Sequence, residues 1–176
     1  MKFRKIILNA SEAFQVPSGI QRIDTKSTHG WQVRYQGTKF FSDRANDKVC
    51  ARSSMDRATE ELLDRIAKYP APITVQTSPT ATKTSDLPSG ISGPIVRTRS
   101  RSTARMVEFS IILPRHGQQP HRRTVYIGNE NSYTSEKYND ALAKAIELRR
   151  VAEKAYQIDA TQSRRAAAKR IGKDSN

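Results

Sequence analysis

The tetrapeptide Pro17-Ser18-Gly19-Ile20 returns as Pro88-Ser89-Gly90-Ile91, 71 residues further on. The same order of patterns follows each copy: three short extended stretches, then a helical one. An internal repeat of this kind limits the chain to two similar small units, each closing its own core. In the first unit residues 20–23 form a candidate strand and residues 26–30 a turn. Trp31, Val33 and Tyr35 then alternate with Gln32, Arg34 and Gln36, the period-2 signal of a half-buried strand. Gly37-Thr38 closes a hairpin into Lys39-Phe40-Phe41. Ser53 or Ser54 is placed to cap a helix through about Tyr69, where Pro70 stops it. Met55, Ala58, Leu62 and Ile66 give that helix one apolar face.

The second unit repeats the plan. Residues 95–99 are its first strand and residues 100–104 its turn. Val107, Phe109 and Ile111 alternate with Glu108, Ser110 and Ile112. Residues 114–120, with Gly117, make a longer hairpin loop before the strand 123–128. Thr134 is placed to cap a helix to about Tyr156, with Glu136 suited to its first turn and Tyr138, Ala141, Leu142, Ala145 and Ile146 as its apolar stripe. The expected fold class is therefore α+β: two small modules, each a three-stranded antiparallel sheet packed on one C-terminal helix. The expected division is a first module over 1–69 with an N-terminal extension, a Pro/Ser/Thr-rich linker over 70–89, a second module over 90–157 and a basic tail over 158–176. That tail either extends the last helix or hangs free.

Composition excludes several classes. Leu, Ile, Val and Phe number 34 among 176 residues, and the formal charge is +14. Such a lean, charged chain stands close to the composition of disordered proteins, so its cores must be small. One cysteine, Cys50, excludes a disulfide framework and a Cys-rich zinc site. No apolar stretch approaches the ~18 residues of a membrane span, so no membrane partner is expected. Ile6-Ile7-Leu8 is too short for a secretory signal. The charge resolves into +5 over residues 1–70, zero over 71–89, +6 over 90–157 and +3 over 158–176. Nucleic acid is the natural partner for that distribution.

A sheet covered on one face leaves the other bare, and a small bare sheet fits the major groove of DNA. Arg can bond guanine O6 and N7 there in bidentate fashion, and Gln adenine N6 and N7. The first open face is expected to carry Gln32, Arg34 and Gln36, with Thr38 and Phe40 beside them. Arg22 and Lys26 flank the first strand. In the second unit Arg97, Arg99, Arg101 and Arg105 crowd the first hairpin, and Arg115, Arg122 and Arg123 surround the second. That cluster suits phosphate clamping better than base reading. If Phe41 and Ile127 point inward, Phe40 and Tyr126 point outward and offer apolar contacts to a partner. Trp31 is expected in the core.

Gly19-Ile20, Gly30-Trp31-x-Val33-x-Tyr35 and Lys39-Phe40-Phe41-Ser42-Asp43 carry a resemblance. So do Gly90-Ile91, Val125-Tyr126-Ile127-Gly128 and Ala141-Leu142-Ala143-x-Ala145-x-x-x-Arg149. Over residues 18–69 and 90–156 the units resemble the APETALA-two / ethylene-response-factor type of DNA-binding domain, in its bacterial and phage form. The resemblance implies a three-stranded sheet in the major groove, a helix packed behind it, and DNA contact by the outward residues of all three strands. Glu108 and Ser110 stand where that pattern would place a basic reader residue.

Catalysis is not expected. The three histidines, His29, His116 and His121, fall in hairpin turns without a metal-ligand spacing, and no glycine-rich phosphate loop is present. Cys50 has no nearby His to activate it. No cofactor and no metal are expected. The expected function is sequence-directed binding of double-stranded DNA by two tethered modules, as a transcriptional regulator or an architectural protein in the cytoplasm, associated with the nucleoid. A homo-oligomer or a partner regulator stays open. The alternatives are a structure-selective RNA-binding protein and a protein-interaction module using the sheet face.

Overall fold

The computed structural model describes residues 1–8, 12–45, 48–98 and 104–174. The elements run β1 (Phe3–Leu8), β2 (Glu12–Pro17), β3 (Ile20–Asp24), β4 (His29–Arg34), β5 (Thr38–Ser42), β6 (Arg44–Ala45), β7 (Lys48–Val49), α1 (Ala51–Lys68), β8 (Ile91–Thr98), β9 (Arg105–Leu113), β10 (His121–Asn129) and α2 (Ser135–Asp174). The protein is α+β, and all its sheets are antiparallel. It divides into two compact units: Met1–Pro72 with Ala160–Asn176, and Ile73–Asp159.

The expected plan of one three-stranded sheet and one helix per module needs correction in the first unit. That unit holds the sheet β3-β4-β5, but also the hairpin β1-β2 and the two-residue pair β6-β7. Phe14 and Val16 of β2 enter its core, with Phe14 against Trp31 at 5.1 Å between ring centroids. Two helices serve that core. Met55, Ala58, Leu62 and Ile66 of α1 are buried, and Ala168 of α2 joins them. The far end of α2 is tied down by hydrogen bonds as well. Thr161 Oγ1 accepts from the Ala71 N–H at 3.0 Å, and Arg165 donates to the Ile66 carbonyl at 3.3 Å. Arg164 donates to the Ser18 carbonyl at 3.2 Å and lies 4.7 Å over the Tyr35 ring.

At the end of α2 the tail extends the last helix, one of the two readings that the sequence leaves open. No proline interrupts residues 135–174, and Ala166, Ala167 and Ala168 favour helix. The helix therefore continues well past Tyr156 to Asp174. Its start matches the sequence: Thr134 Oγ1 accepts from the Lys137 N–H at 3.2 Å. The cap of α1 does not. Cys50 Sγ accepts from the Ser53 N–H, and Ser54 turns inward instead.

The core of the second unit comprises Leu87, Ile91, Phe109, Ile111, Val125, Ile127, Ala141 and Ala145. Its sheet order is β10-β9-β8, with a bulge in β8 between Ser92 and Ile95. Residues 73–89 carry no helix or strand. They are held nonetheless: Lys83 Nζ donates to the carbonyls of Leu87, Pro88 and Ile91, and Ser89 Oγ to that of Gln76.

The repeated tetrapeptide now has a structural reason. Gly19 and Gly90 both take positive φ, +111° and +76°, which a side chain would strain. Each glycine also touches the layer behind its sheet. A Cβ on Gly19 would meet Leu62 at 3.1 Å, and one on Gly90 would meet the Arg149 guanidinium at 2.8 Å. The Gly19 carbonyl accepts from the Arg34 N–H at 2.7 Å, and the Gly90 carbonyl from the Ile112 N–H at 2.8 Å. Ile20 lies opposite Val33, and Ile91 opposite Ile111, all four in the cores. The two three-stranded sheets are thus built on one register.

Candidate nucleic-acid interface

Directly paired residues of an antiparallel sheet point to the same face. In the first unit Trp31, Val33 and Tyr35 are buried toward α1. The opposite face therefore carries Gln32 beside Phe40, Arg34 beside Thr38, and Gly30 beside Ser42. Arg34, Thr38, Phe40 and Ser42 are exposed and Gln32 is half-buried. Arg34 Nε donates to Gln32 Oε1 at 2.5 Å, which holds both side chains over β4. A Cβ on Gly30 would stand 2.6 Å from the Phe40 ring and would run into the Phe41 carbonyl. The missing side chain at Gly30 is what lets Phe40 lie across the sheet. Lys26 is exposed in the turn between β3 and β4.

Two expected contact residues of this unit do not lie on that face. Arg22 pairs with Trp31 and so points to the covered side. Its guanidinium sits 5.0 Å over the Trp31 ring. It bonds Asp24 through two nitrogens, each at 2.8 Å, and Asp43 at 2.7 Å. Asp43 is buried and also accepts from Ser54 Oγ at 2.5 Å. Burial lowers the Arg22 pKa, but the bonds to Asp24 and Asp43 outweigh it and leave the group above its ordinary value. The same Arg22 bond, against a smaller effect of burial and with help from His29, holds the Asp24 carboxyl below the usual range. Arg22 is thus a structural cation. Gln36 sits in the β4-β5 turn at φ +50° and donates to the Pro70 carbonyl at 3.4 Å, away from the open face.

In the second unit Phe109, Ile111 and Val125 are buried toward α2. Its open face carries Ile95, Arg97, Met106, Glu108, Ser110, Ile112, Arg122, Thr124 and Tyr126 by register. Arg97 is bound to Glu108 at 2.9 Å, so its charge is partly cancelled. Arg122 lies opposite Ile112, and Tyr126 opposite Glu108; both are exposed. Arg105 pairs with Thr98, and Arg123 with the core residue Ile111, so neither points to the open face. Arg115 is exposed in the loop between β9 and β10. Arg99 and Arg101 lie outside the described residues.

The shared register allows a position-by-position comparison. Arg34 corresponds to Ile112, Gln32 to Ser110 and Gly30 to Glu108; opposite them, Thr38 corresponds to Arg122, Phe40 to Thr124 and Ser42 to Tyr126. The polar pair capable of reading base edges therefore belongs to the first unit. The second offers an arginine and a tyrosine from its edge strand.

Among the described residues no group of three His, Cys, Asp or Glu is placed to hold a metal ion. His29 bonds Asp24 at 2.8 Å, and His116 packs edge-on against Tyr156. No helix among the described residues is long and apolar enough to cross a membrane. Comparison with family models, curated proteins and solved structures finds no match to the chain.

Proposed function

We propose that the protein binds double-stranded DNA through the open faces of its two three-stranded sheets, as a transcriptional regulator or an architectural protein without catalysis of its own. The observation that carries this reading is the first open face. It is solvent-facing and presents Arg34 braced by Gln32, with Thr38 and Phe40 in the adjoining strand. Arg and Gln are the two side chains whose donors and acceptors match base edges in the major groove. Three strands at about 4.8 Å spacing span about 10 Å, and the groove is about 12 Å wide. The sheet can therefore lie along the groove floor. The net charge of +14 supplies the sequence-independent attraction. In this reading the first unit reads sequence, and the second adds affinity by tethering.

The test is a competition assay after selection of preferred duplexes from a random pool. Preferred duplex DNA is expected to displace RNA and random DNA, and Arg34→Ala to weaken binding about tenfold while relaxing the preference, since one bidentate contact discriminates by about 1–3 kcal/mol. Stronger competition by RNA would move the protein to the RNA-binding class. Salt-insensitive binding, or none, would end both nucleic-acid readings.

A further inference from the structure

In the first unit Lys39 of β5 points to the helix side, opposite Val33, and meets Glu61 of α1 at 2.5 Å. That ion pair closes the seam between the edge strand and the helix. The bonds to Lys39 and Arg65 outweigh burial and hold the Glu61 carboxyl below its usual range. The equivalent seam of the second unit lies between β10 and α2. Arg123 stands opposite Ile111 as Lys39 stands opposite Val33. The inner faces of the helices also match at one spacing. Met55, Ala58 and Leu62 correspond to Tyr138, Ala141 and Ala145, each 83 residues later. By that spacing the partner of Arg123 should be residue 144, and residue 144 is a lysine.

The ion pair is thus replaced by two cations. Neither Arg123 nor Lys144 has an acidic partner among the described residues. Here the seam is an open groove of about 440 Å³ lined by Arg123, Tyr126, Lys137, Asp140, Lys144 and Leu148. Lys137 donates to the Ser132 carbonyl at 2.9 Å and brings a third cation against the single carboxylate of Asp140. Like charges facing one groove repel, and an anion between them removes the repulsion.

We propose that this groove holds the phosphodiester backbone of the DNA strand flanking the second sheet. The inference rests on the sheet-face reading above and assigns the positions of phosphates relative to it. The major groove is about 8.5 Å deep. A sheet on its floor therefore has the phosphate walls rising beside its edge strands, level with the layer behind the sheet. β10 is an edge strand, and the cations of this groove lie on its helix side. Tyr126, on the open side of the same strand, faces the bases or sugars. Arg123, expected from the sequence in a phosphate-clamping cluster around the second hairpin, is in this reading a clamp on the wall.

The experiment measures binding of a fluorescein-labelled 30-bp mixed-sequence DNA duplex against salt concentration. The full chain is compared with Lys144→Gln, with Arg123→Gln/Lys144→Gln and with Lys154→Gln, an exposed lysine elsewhere on α2. Each phosphate contact contributes about 0.9 to the slope of log affinity against log salt. Lys144→Gln is expected to flatten the slope by about 0.9 and the double variant by about 1.8, while Lys154→Gln leaves it unchanged. Lys144→Glu, which recreates the ion pair of the first unit, is expected to raise the thermal midpoint of the second unit while weakening the duplex. Full-chain slopes in the groove variants, or equal flattening by Lys154→Gln, would overturn the groove assignment and leave the sheet-face reading in place. Absence of duplex binding by the full chain would overturn both.

Discussion

Removing the Asp43 carboxylate probes the densest polar contact of the first unit. Asp43 is only 4% exposed, takes the Ser54 hydroxyl at 2.5 Å and meets Arg22 at 2.7 Å. Asp43→Ala leaves Arg22, itself 12% exposed, with Asp24 alone, and Asp24 is a more solvated partner. Breaking a buried pair by deleting one member costs about 3–5 kcal/mol, because the remaining charge stays desolvated. For a unit of this size that lowers the melting temperature by on the order of 20 °C. Trp31 makes the assay specific. It is the only tryptophan and is fully buried in this unit, with Arg22 over its ring. Urea titration followed by Trp31 fluorescence therefore reports on the first unit alone. Asp43→Asn, which keeps an acceptor for Ser54 but loses the charge, should fall between the parent and Asp43→Ala. Arg22→Met/Asp43→Ala should recover part of the loss, since no buried charge is then left unpaired. A change below about 1 kcal/mol for Asp43→Ala, the value of an ordinary exposed pair, would refute the reasoning.

Two further outcomes follow from the same unit. Deleting residues 160–176 removes Ala168 from the core and the hydrogen bonds to Ala71, Ser18 and Ile66. At about 1 kcal/mol per bond, the Trp31 transition should lose about 3 kcal/mol, and an unchanged transition would show that the end of α2 is not part of this unit. Asp24 and Glu61 have depressed carboxyl pKa values, through Arg22 and through Lys39 with Arg65 respectively. Groups depressed on folding stabilise above their unfolded pKa of about 4 and lose that contribution as pH falls through the folded value. The urea midpoint should therefore hold steady above about pH 5 and fall below about pH 4, with Asp24→Asn removing part of the fall. A midpoint independent of pH down to pH 2 would contradict it.

The sequence shows its local periodicities clearly and its long-range partners poorly. Strand β4 and the inner face of α1 follow directly from the spacing of Trp31, Val33 and Tyr35 and of Met55, Ala58, Leu62 and Ile66. The hairpin β1-β2 also had a signal, Phe14 and Val16 around Gln15, but only three residues long and cut by Pro17. Arg22 is the instructive failure. The sequence places it beside the first strand as a DNA contact, whereas strand alternation from the buried Ile20 turns it inward, opposite Trp31. Its ionic partner there is Asp43, 21 residues away and buried by a different segment, so no local pattern announces it. Ser54, suited by type to cap α1, is drawn off by the same carboxylate, and Cys50 takes the cap. The groove beside Arg123 was hidden in another way. It emerges only when the strands are aligned by register and the helices by the spacing of their inner faces, which puts Lys144 in the place of Glu61.

The claim that DNA lies on the open sheet faces is tested most directly by amide chemical-shift mapping. An isotopically labelled sample of the whole chain is titrated with a preferred duplex at low salt. The expected result is a contiguous set of shifts at Gln32, Arg34, Thr38 and Phe40 in the first unit and at Arg122, Thr124 and Tyr126 in the second. The outer face of α1, at Asp56 and Glu60, should stay still. Shifts centred on α1, with the face around Arg34 unmoved, would contradict the account.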